Sequence, residues 1–395
     1  MFLNSLINNG SFCLIPFIHQ EKQFDGHHKI CCYQNQQQSD DLTQTSHQSF
    51  NSKKINIIRK KMIEGIRPEE CTGCYVQEDN GVMSARQIEN KLWSRWTDTH
   101  PTLSKVFSAY ENGDELSPIS YDLRYSNTCT LKCRMCNSSS SSAINAEYKK
   151  INHKWAEKFW FVKNPRINHE IDLTSDIQKI YLAGGEPLIE PLNLELLSDI
   201  ANINPNVNIF ISTSLNIVNQ NFVDVLNRFN NLTFVVSLDG VGKVNDYIRN
   251  GSSFDIVAEN IEKFKHHNIM FGSTVSLYNI FSLRELVEYA YKKYPSFDHG
   301  INMVNDIPEL YIENTPPELR EDLISNLTTV LDWLPDNARA RMGIDNILTT
   351  LKADNFDSNH FTNFIKYTKI LDEERGESIL DIQPILAPYF KYDTN

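Results

Sequence analysis

Cys129-Thr-Leu-Lys-Cys133-Arg-Met-Cys136 sets three thiols at C-x3-C-x2-C spacing. The residues before it, Ile119-Ser-Tyr-Asp-Leu-Arg-Tyr125, alternate as a strand does. A Ser-rich run follows, then Ala143-Ile-Asn-Ala-Glu-Tyr-Lys-Lys150, which reads as a helix. The thiols therefore belong on a loop at the carboxyl end of a strand, where α/β folds place chemistry. Three close thiolates suit an iron–sulfur cluster with one iron left open to an exchangeable ligand. A structural zinc site would be expected to supply four protein ligands. On spacing alone, zinc and simple buried thiols stay open as alternatives.

Composition narrows the classes. The chain has 395 residues, room for two or three domains, and 41% hydrophobic content, enough for a sizeable core. A formal net charge of −12 speaks against a general nucleic-acid binder. No apolar run reaches the length of a membrane span. Residues 1–10 lack the basic start and long apolar stretch of a signal peptide. The eight cysteines are Cys13, Cys31, Cys32, Cys71, Cys74, Cys129, Cys133 and Cys136. In a large chain without a secretion signal, clustered thiols point to metal in a reducing compartment, so a cytoplasmic location is expected.

Further motifs lie downstream of the three thiols. Ala183-Gly-Gly-Glu-Pro187 follows a strand at Lys179-Ile-Tyr-Leu182. Val235-Val-Ser-Leu-Asp-Gly240 forms a later strand, and Asn245-Asp-Tyr-Ile-Arg249 comes after it. In order and spacing together, these motifs resemble the radical S-adenosylmethionine (SAM) superfamily. The resemblance implies a [4Fe-4S] cluster on Cys129, Cys133 and Cys136 that binds SAM and cleaves it to a 5′-deoxyadenosyl radical. It implies that Gly184, Gly185, Glu186 and Pro187 receive the methionine amino group, with Glu186 as a charged acceptor. Ser212, with Thr213 and Ser214, would meet the ribose hydroxyls. Ser237 and Arg249 would hold the methionine carboxylate, and Met135 would lie near adenine. It also implies an electron donor such as a flavodoxin or ferredoxin. The bland readings are a tight turn for the two glycines and solvated loop ends for the polar positions.

Upstream, the pattern C-x12-G-x4-C runs from Cys13 through Gly26 to Cys31, and Cys71-Thr-Gly-Cys74 follows much later. Two separated thiol pairs close one tetrahedral or cubane site, and a zinc ribbon uses the same arithmetic. This spacing is similar to the SPASM and twitch extensions of radical SAM enzymes. The similarity implies a second, auxiliary Fe–S cluster on Cys13, Cys31, Cys71 and Cys74, placed here ahead of the core. Cys32 is left over, and either Cys31 or Cys32 can be the ligand. Glu78, Ser84 and Arg86 follow in a stretch that resembles the same N-terminal group, and a plain surface loop is an equal reading. Residues 33–51 read as a polar loop. Ile55, Ile58, Met62 and Ile66 fall at helical spacing, with Pro68 expected to end the helix.

From about 118 the chain alternates. Strands are expected at 119–125, 178–183, 207–212, 232–238, 269–276 and 300–305. Helices are expected at 141–150, 189–201, 219–229, 254–266 and 282–292, the last opened by a capping box, Ser282-Leu-Arg-Glu285. Alternation of this kind implies an α/β fold with parallel strands. Six strands fit the partial (β/α)6 barrel of the family, its carboxyl-end loops opening on one cleft. Trp155 to Asp176, with Trp160 and Phe161, interrupts the first crossover as a lid or as packing. The domain expectation is an auxiliary-cluster domain at 1–117, the core at 118–305 and a helical C-terminal extension at 306–395. The function expected is hydrogen abstraction from a peptide, protein or small molecule, with net oxidation through the auxiliary cluster. The competing classes are a zinc-stabilised, non-catalytic binding protein and a degenerate, inactive radical SAM fold.

Overall fold

The structure is a computed structural model that describes residues 6, 9–34, 45–81, 83–97, 101–151, 171–353 and 355–390. Trp155, Trp160 and Phe161 lie outside the described residues, as do residues 35–44 of the polar stretch at 33–51, whose end Ser46–Phe50 is a helix and not a loop because Thr45 and Gln48 close a capping box.

The six expected strands are present: β3 Ser120–Leu123, β4 Lys179–Leu182, β5 Asn208–Thr213, β6 Asn231–Ser237, β7 Asn268–Val275 and β8 Asp298–Met303. Helices Ser142–Lys150, Pro191–Ile203, Gln220–Leu226, Phe254–Phe264 and Leu283–Lys293 alternate with them. The sheet order is β2-β1-β3-β4-β5-β6-β7-β8, an open sheet, and β3/β4, β6/β7 and β7/β8 pair in parallel. Two strands are additional. β1 (His19–Lys22) pairs parallel with β3, and β2 (His28–Lys29) folds back antiparallel on β1. The sequence His-Gln-Glu-Lys carries no strand signal of its own. It becomes a strand because the edge of β3 offers unpaired backbone groups that must be satisfied.

Along β4 to β7 every second residue is buried, and those between are half-buried except the exposed Asn231 and Asn268 that open β6 and β7. One face carries Ile180, Leu182, Ile209, Ile211, Phe234, Val236 and Phe271, all buried. The other carries Tyr181, Phe210, Ser212, Val235, Ser237 and Thr274, only half covered. A parallel sheet normally buries both faces, and here one side of each of these strands is only half covered.

The described chain divides into two compact units. The first comprises 1–127, 162–210 and 220–232. Its core packs Phe12, Phe17 and Ile18 with Ile58, Met62, Trp93 and Phe107. The helix Lys53–Ile63 inside it buries Ile55, Ile58 and Met62 as expected, but Ile66 is exposed. Gly65 rather than Pro68 ends the helix. Gly65 takes φ +80°, and Gly65 and Ile66 donate to the Met62 and Lys61 carbonyls at 3.3 and 2.8 Å, a Schellman closure.

The second unit comprises 128–161, 211–219 and 233–395. Helices Pro317–Leu331 and Arg339–Lys352 pack Leu323, Leu327, Val330, Ile344 and Ile347 with Val275 and Ile301. The contact is tight at Gly343, where a Cβ would stand 2.6 Å from the Ile301 carbonyl oxygen. Helix Ser358–Arg375 packs Phe361, Phe364 and Tyr367 with Tyr148, Tyr247 and Tyr278. The capping box at Ser282 does not form. A 3-10 turn, Ile280–Ser282, leads directly into the helix, and the Ser282 hydroxyl accepts from Gln383 Nε2 at 2.7 Å instead. No described helix is long and apolar enough to cross a membrane.

Candidate metal centre

The cysteine loop lies in the second unit and is fastened along its length. The Lys132 and Arg134 amides donate to the Asn250 and Ile248 carbonyls at 2.9 and 2.8 Å, which zips the loop to the segment before Gly251. Ser141 Oγ donates to the Leu131 carbonyl at 3.0 Å and caps the next helix by accepting from the Ile144 amide. Ser142 Oγ accepts from the Cys129 amide at 3.1 Å. The Ser-rich run is thus a set of ties, where the sequence suggested only a connector.

All three thiols are reduced and half-buried. Burial pushes Cys133 up to about 11, opposed most by Arg249, with Cys129 adding like-charge repulsion. Cys136 is pushed up by burial and then by Cys133 and Cys129, so the three sulfurs lie within electrostatic reach of one another. Arg249 Nη1 stands 3.9 Å from Cys133 Sγ, and its Nη2 pairs with Asp239 Oδ2 at 2.8 Å. Asp239 is itself fixed, accepting from the Thr274 amide at 2.8 Å. The next residue has to be glycine, because a Cβ on Gly240 would come within 2.5 Å of Val244 Cγ1 and 2.9 Å of the Asn245 nitrogen. Met135 packs with Cys136 against the apolar cluster around Tyr148 and Tyr247. Ser212 and Ser237 occupy the half-covered face at the ends of β5 and β6. Just past Ser212, buried Leu215 adopts φ +54°, held by Thr213 Oγ1 and Asn260 Nδ2, each at 2.9 Å. That strained turn has no signature in the sequence.

The Gly-Gly-Glu-Pro stretch lies in the first unit. Gly184 has φ +127°, and a Cβ there would sit 2.7 Å from the Ser126 carbonyl oxygen, which also accepts from the Gly185 amide at 3.1 Å. Glu186 is buried and caps the turn Pro187–Ile189, accepting from the Leu188 amide at 3.3 Å.

The N-terminal cysteines also lie in the first unit. Backbone on both sides of Cys13 is gripped by side chains. Tyr75 OH donates to the Ser11 carbonyl at 2.7 Å. Arg86 Nη1 and Asn90 Nδ2 donate to the Phe12 carbonyl at 2.6 and 2.9 Å, and the Leu14 amide donates to Asn90 Oδ1 at 2.9 Å. Arg86 is held by two hydrogen bonds to Glu78, which also accepts from Ser84. Glu78, Ser84 and Arg86 are therefore not a surface loop; they form a buried network that locks the Cys13 loop. Cys13 is pushed up by burial, then by Cys71 and Cys74. Cys31 is pushed up by burial, Cys32, Cys13 and Cys71, and Cys71 reaches about 12 through burial and Cys74. The Cys32 thiol has different surroundings, pushed up to about 12 by burial and then by Glu21 and Asp122. Cys31 and Cys71 pack at the edge of the apolar core that contains Cys13, whereas Cys32 is exposed.

Sequence reading missed the polar row beside Cys32. The register sets Glu21 of β1 opposite Asp122 of β3, and Asp122 opposite Tyr181 of β4. Arg124 bonds Asp122 at 3.2 Å and pairs with Glu21 at 3.5 Å. Glu21 Oε2 is buried without a hydrogen-bond partner. No signal could have found Glu21, because its strand is made by tertiary pairing.

Among the described residues, no three Cys, His, Asp or Glu side chains meet at metal-binding geometry. The donor chemistry nevertheless suits iron–sulfur clusters. Two separate groups of reduced thiols raise one another's pKa by like charge, and a bound cationic centre reverses that penalty by taking them as thiolates.

Compared with known protein families, residues 123–290 match the model described as the Radical SAM superfamily. The chain is 26% identical over 214 residues to the sporulation killing factor maturation protein SkfB of Bacillus subtilis (strain 168), an alignment covering 52% of this chain and 48% of SkfB. The chain thus spans about half the length of the curated relative it matches. Among solved structures, Streptococcus suis SuiB bound to precursor peptide SuiA aligns with TM-score 0.37 and 14% identity, over 72% of this chain and 59% of SuiB. Native anSMEcpe with bound AdoMet aligns with TM-score 0.37 and 16% identity, over 53% of this chain and 60% of the other.

Proposed function

We propose, from the match of residues 123–290 to the radical SAM family model, that the protein is a radical SAM enzyme that abstracts hydrogen from a peptide. Cys129, Cys133 and Cys136 would hold a [4Fe-4S] cluster, and Gly184–Pro187, Ser212, Ser237, Arg249 and Met135 would bind SAM. When bound, these groups supply one-electron cleavage of SAM and a 5′-deoxyadenosyl radical. The chain's own residues do the positioning. Asp239 aims Arg249 at Cys133, the loop is zipped to residues 248–250, and Gly184 lets backbone approach where a side chain would collide. The single observation that carries the reading is the Arg249 guanidinium on Cys133, delivered by the two downstream motifs of the family. The peptide class draws support from SkfB, whose name makes it a maturation protein for a killing factor. Cys13, Cys31, Cys71 and Cys74 would hold an auxiliary cluster that accepts an electron from the substrate, and a flavodoxin- or ferredoxin-type donor would supply the first electron. A zinc-stabilised binding protein is the less favoured reading.

The test is the triple Cys129→Ala, Cys133→Ala, Cys136→Ala variant, reconstituted anaerobically. It is expected to lose about half of the iron, on the basis of two four-iron sites, and all 5′-deoxyadenosine formation. Undiminished SAM cleavage would refute the reading.

A further inference from the structure

The C-terminal helix Ser358–Arg375 reaches the cysteine loop with charged groups that no motif predicts. Arg375, the last residue of that helix, is 1% exposed and bonds Glu147 through Nη2 at 2.6 Å and Nε at 3.1 Å. Its remaining nitrogen, Nη1, is buried with no hydrogen-bond partner. Glu147 also takes Lys132 Nζ at 3.0 Å, and Lys132 immediately precedes Cys133. A second pair lies beside the first. Arg134, fully buried between Cys133 and Met135, donates from Nη2 to Asp372 and Glu377, each at 2.7 Å, and stacks 3.7 Å over the Tyr247 ring. Asp372 is fixed in turn by Tyr247 OH at 2.7 Å and by the Ile379 amide at 2.8 Å.

A buried guanidinium with an unused N–H is costly, so the site is built for an acceptor that the protein alone does not provide. Sulfur of a cluster on this loop is such an acceptor, and hydrogen bonds to cluster sulfur set its potential. We propose that Arg375 is a positioning residue of the cysteine-loop site: it is tied through Glu147 to Lys132 beside Cys133, its unpartnered N–H would donate to cluster sulfur, and Glu147 would balance its charge so that the cluster stays low in potential. The proposal rests on the cluster reading above. The helical region after 306 is then part of the metal site.

Opposite substitutions at the pair carry opposite signs. Removing the arginine charge leaves Glu147 to repel an added electron, and removing the carboxylate charge leaves Arg375 to attract it. The experiment is EPR-monitored redox titration of the reconstituted full chain, following the signal that the Cys129→Ala variant lacks. In Arg375→Gln the reduced-to-oxidised ratio at a fixed poise should fall by about tenfold, or about 59 mV for a one-electron couple. Glu147→Gln should move it the other way, and Arg375→Lys should stay near wild type. A role in folding alone would lower iron content in both variants without reversing the sign. If both leave the potential unmoved or shift it alike, the proposal fails while the cluster reading stands. If Glu147→Gln does not fold, an unmoved potential in Arg375→Gln is enough to refute it. A wild type with no signal dependent on Cys129 overturns both.

Discussion

Glu21 has its whole side chain buried beside a second carboxylate, so its charge is set by the fold. Burial, and then Asp122, push its carboxyl from 4.5 up to about 7, while Arg124 opposes the shift. The folded protein therefore holds a proton that the unfolded chain releases at lower pH. Stability from this site is complete below about pH 4.5 and is lost as pH rises through about 7. Glu21→Gln should flatten that decline in thermal unfolding measured from pH 4.5 to 8; a slope equal to wild type would show that Glu21 does not hold the proton. Gly240 makes a steric prediction at the same scale. With a Cβ 2.9 Å from the Asn245 backbone nitrogen, the Gly240→Ala variant has to move the helix Lys243–Ile248, which precedes Arg249. A loss of about 1–3 kcal/mol in denaturant unfolding is expected, the usual range for overpacking.

At the scale of elements, what could be read locally was read well. Strands β4 to β7 repeat apolar residues every second position because helices cover one face, and that period survives in the sequence. What depends on a partner far along the chain was not legible. β1 is polar and exists by pairing with β3, a hundred residues away in sequence. The pattern Ser-x-x-Glu at 282–285 predicted a box that the preceding 3-10 turn pre-empts. The three core thiols stand out in the sequence by their spacing, whereas Arg249 is named only through the family resemblance, for the methionine carboxylate and not for its place beside Cys133. Asp239's hold on Arg249 and Arg375's tie through Glu147 to Lys132 were not legible, because each joins segments with no shared periodicity. The Glu78–Arg86 pair is a case where an element's role can be measured. Arg86→Met strips a buried carboxylate of its partner and removes one of the two donors to the Phe12 carbonyl. Breaking such a pair costs about 3–5 kcal/mol. The loss should appear as lowered stability of the metal-free protein, which separates it from any effect on metal uptake.

For the molecule as a whole, the prediction is that the two groups of cysteines hold one cluster each. The N-terminal cysteines come from three stretches: the loop before Ile15, the turn after β2, and the turn and helix at Glu69–Asp79. Protein groups alone hold the first of these, through Tyr75, Arg86 and Asn90. Cys31 and Cys71 are half-buried at the edge of the same apolar core, and Cys13 is inside it. A scaffold that fixes one thiol by side-chain hydrogen bonds and brings the others to a core's edge is already paying the ordering cost of a metal site. Four thiolates satisfy zinc and iron equally well, so composition of the bound metal is the discriminating measurement. After anaerobic reconstitution the full chain should hold about eight irons. Cys71→Ala should fall toward half that number while still forming 5′-deoxyadenosine, because its loss does not touch Cys129, Cys133 or Cys136. If the electron leaves the substrate through the N-terminal site, the same variant should cleave SAM yet yield no oxidised peptide. A chain that never exceeds about four irons and holds zinc on the N-terminal thiols would be a one-cluster enzyme with a structural zinc domain.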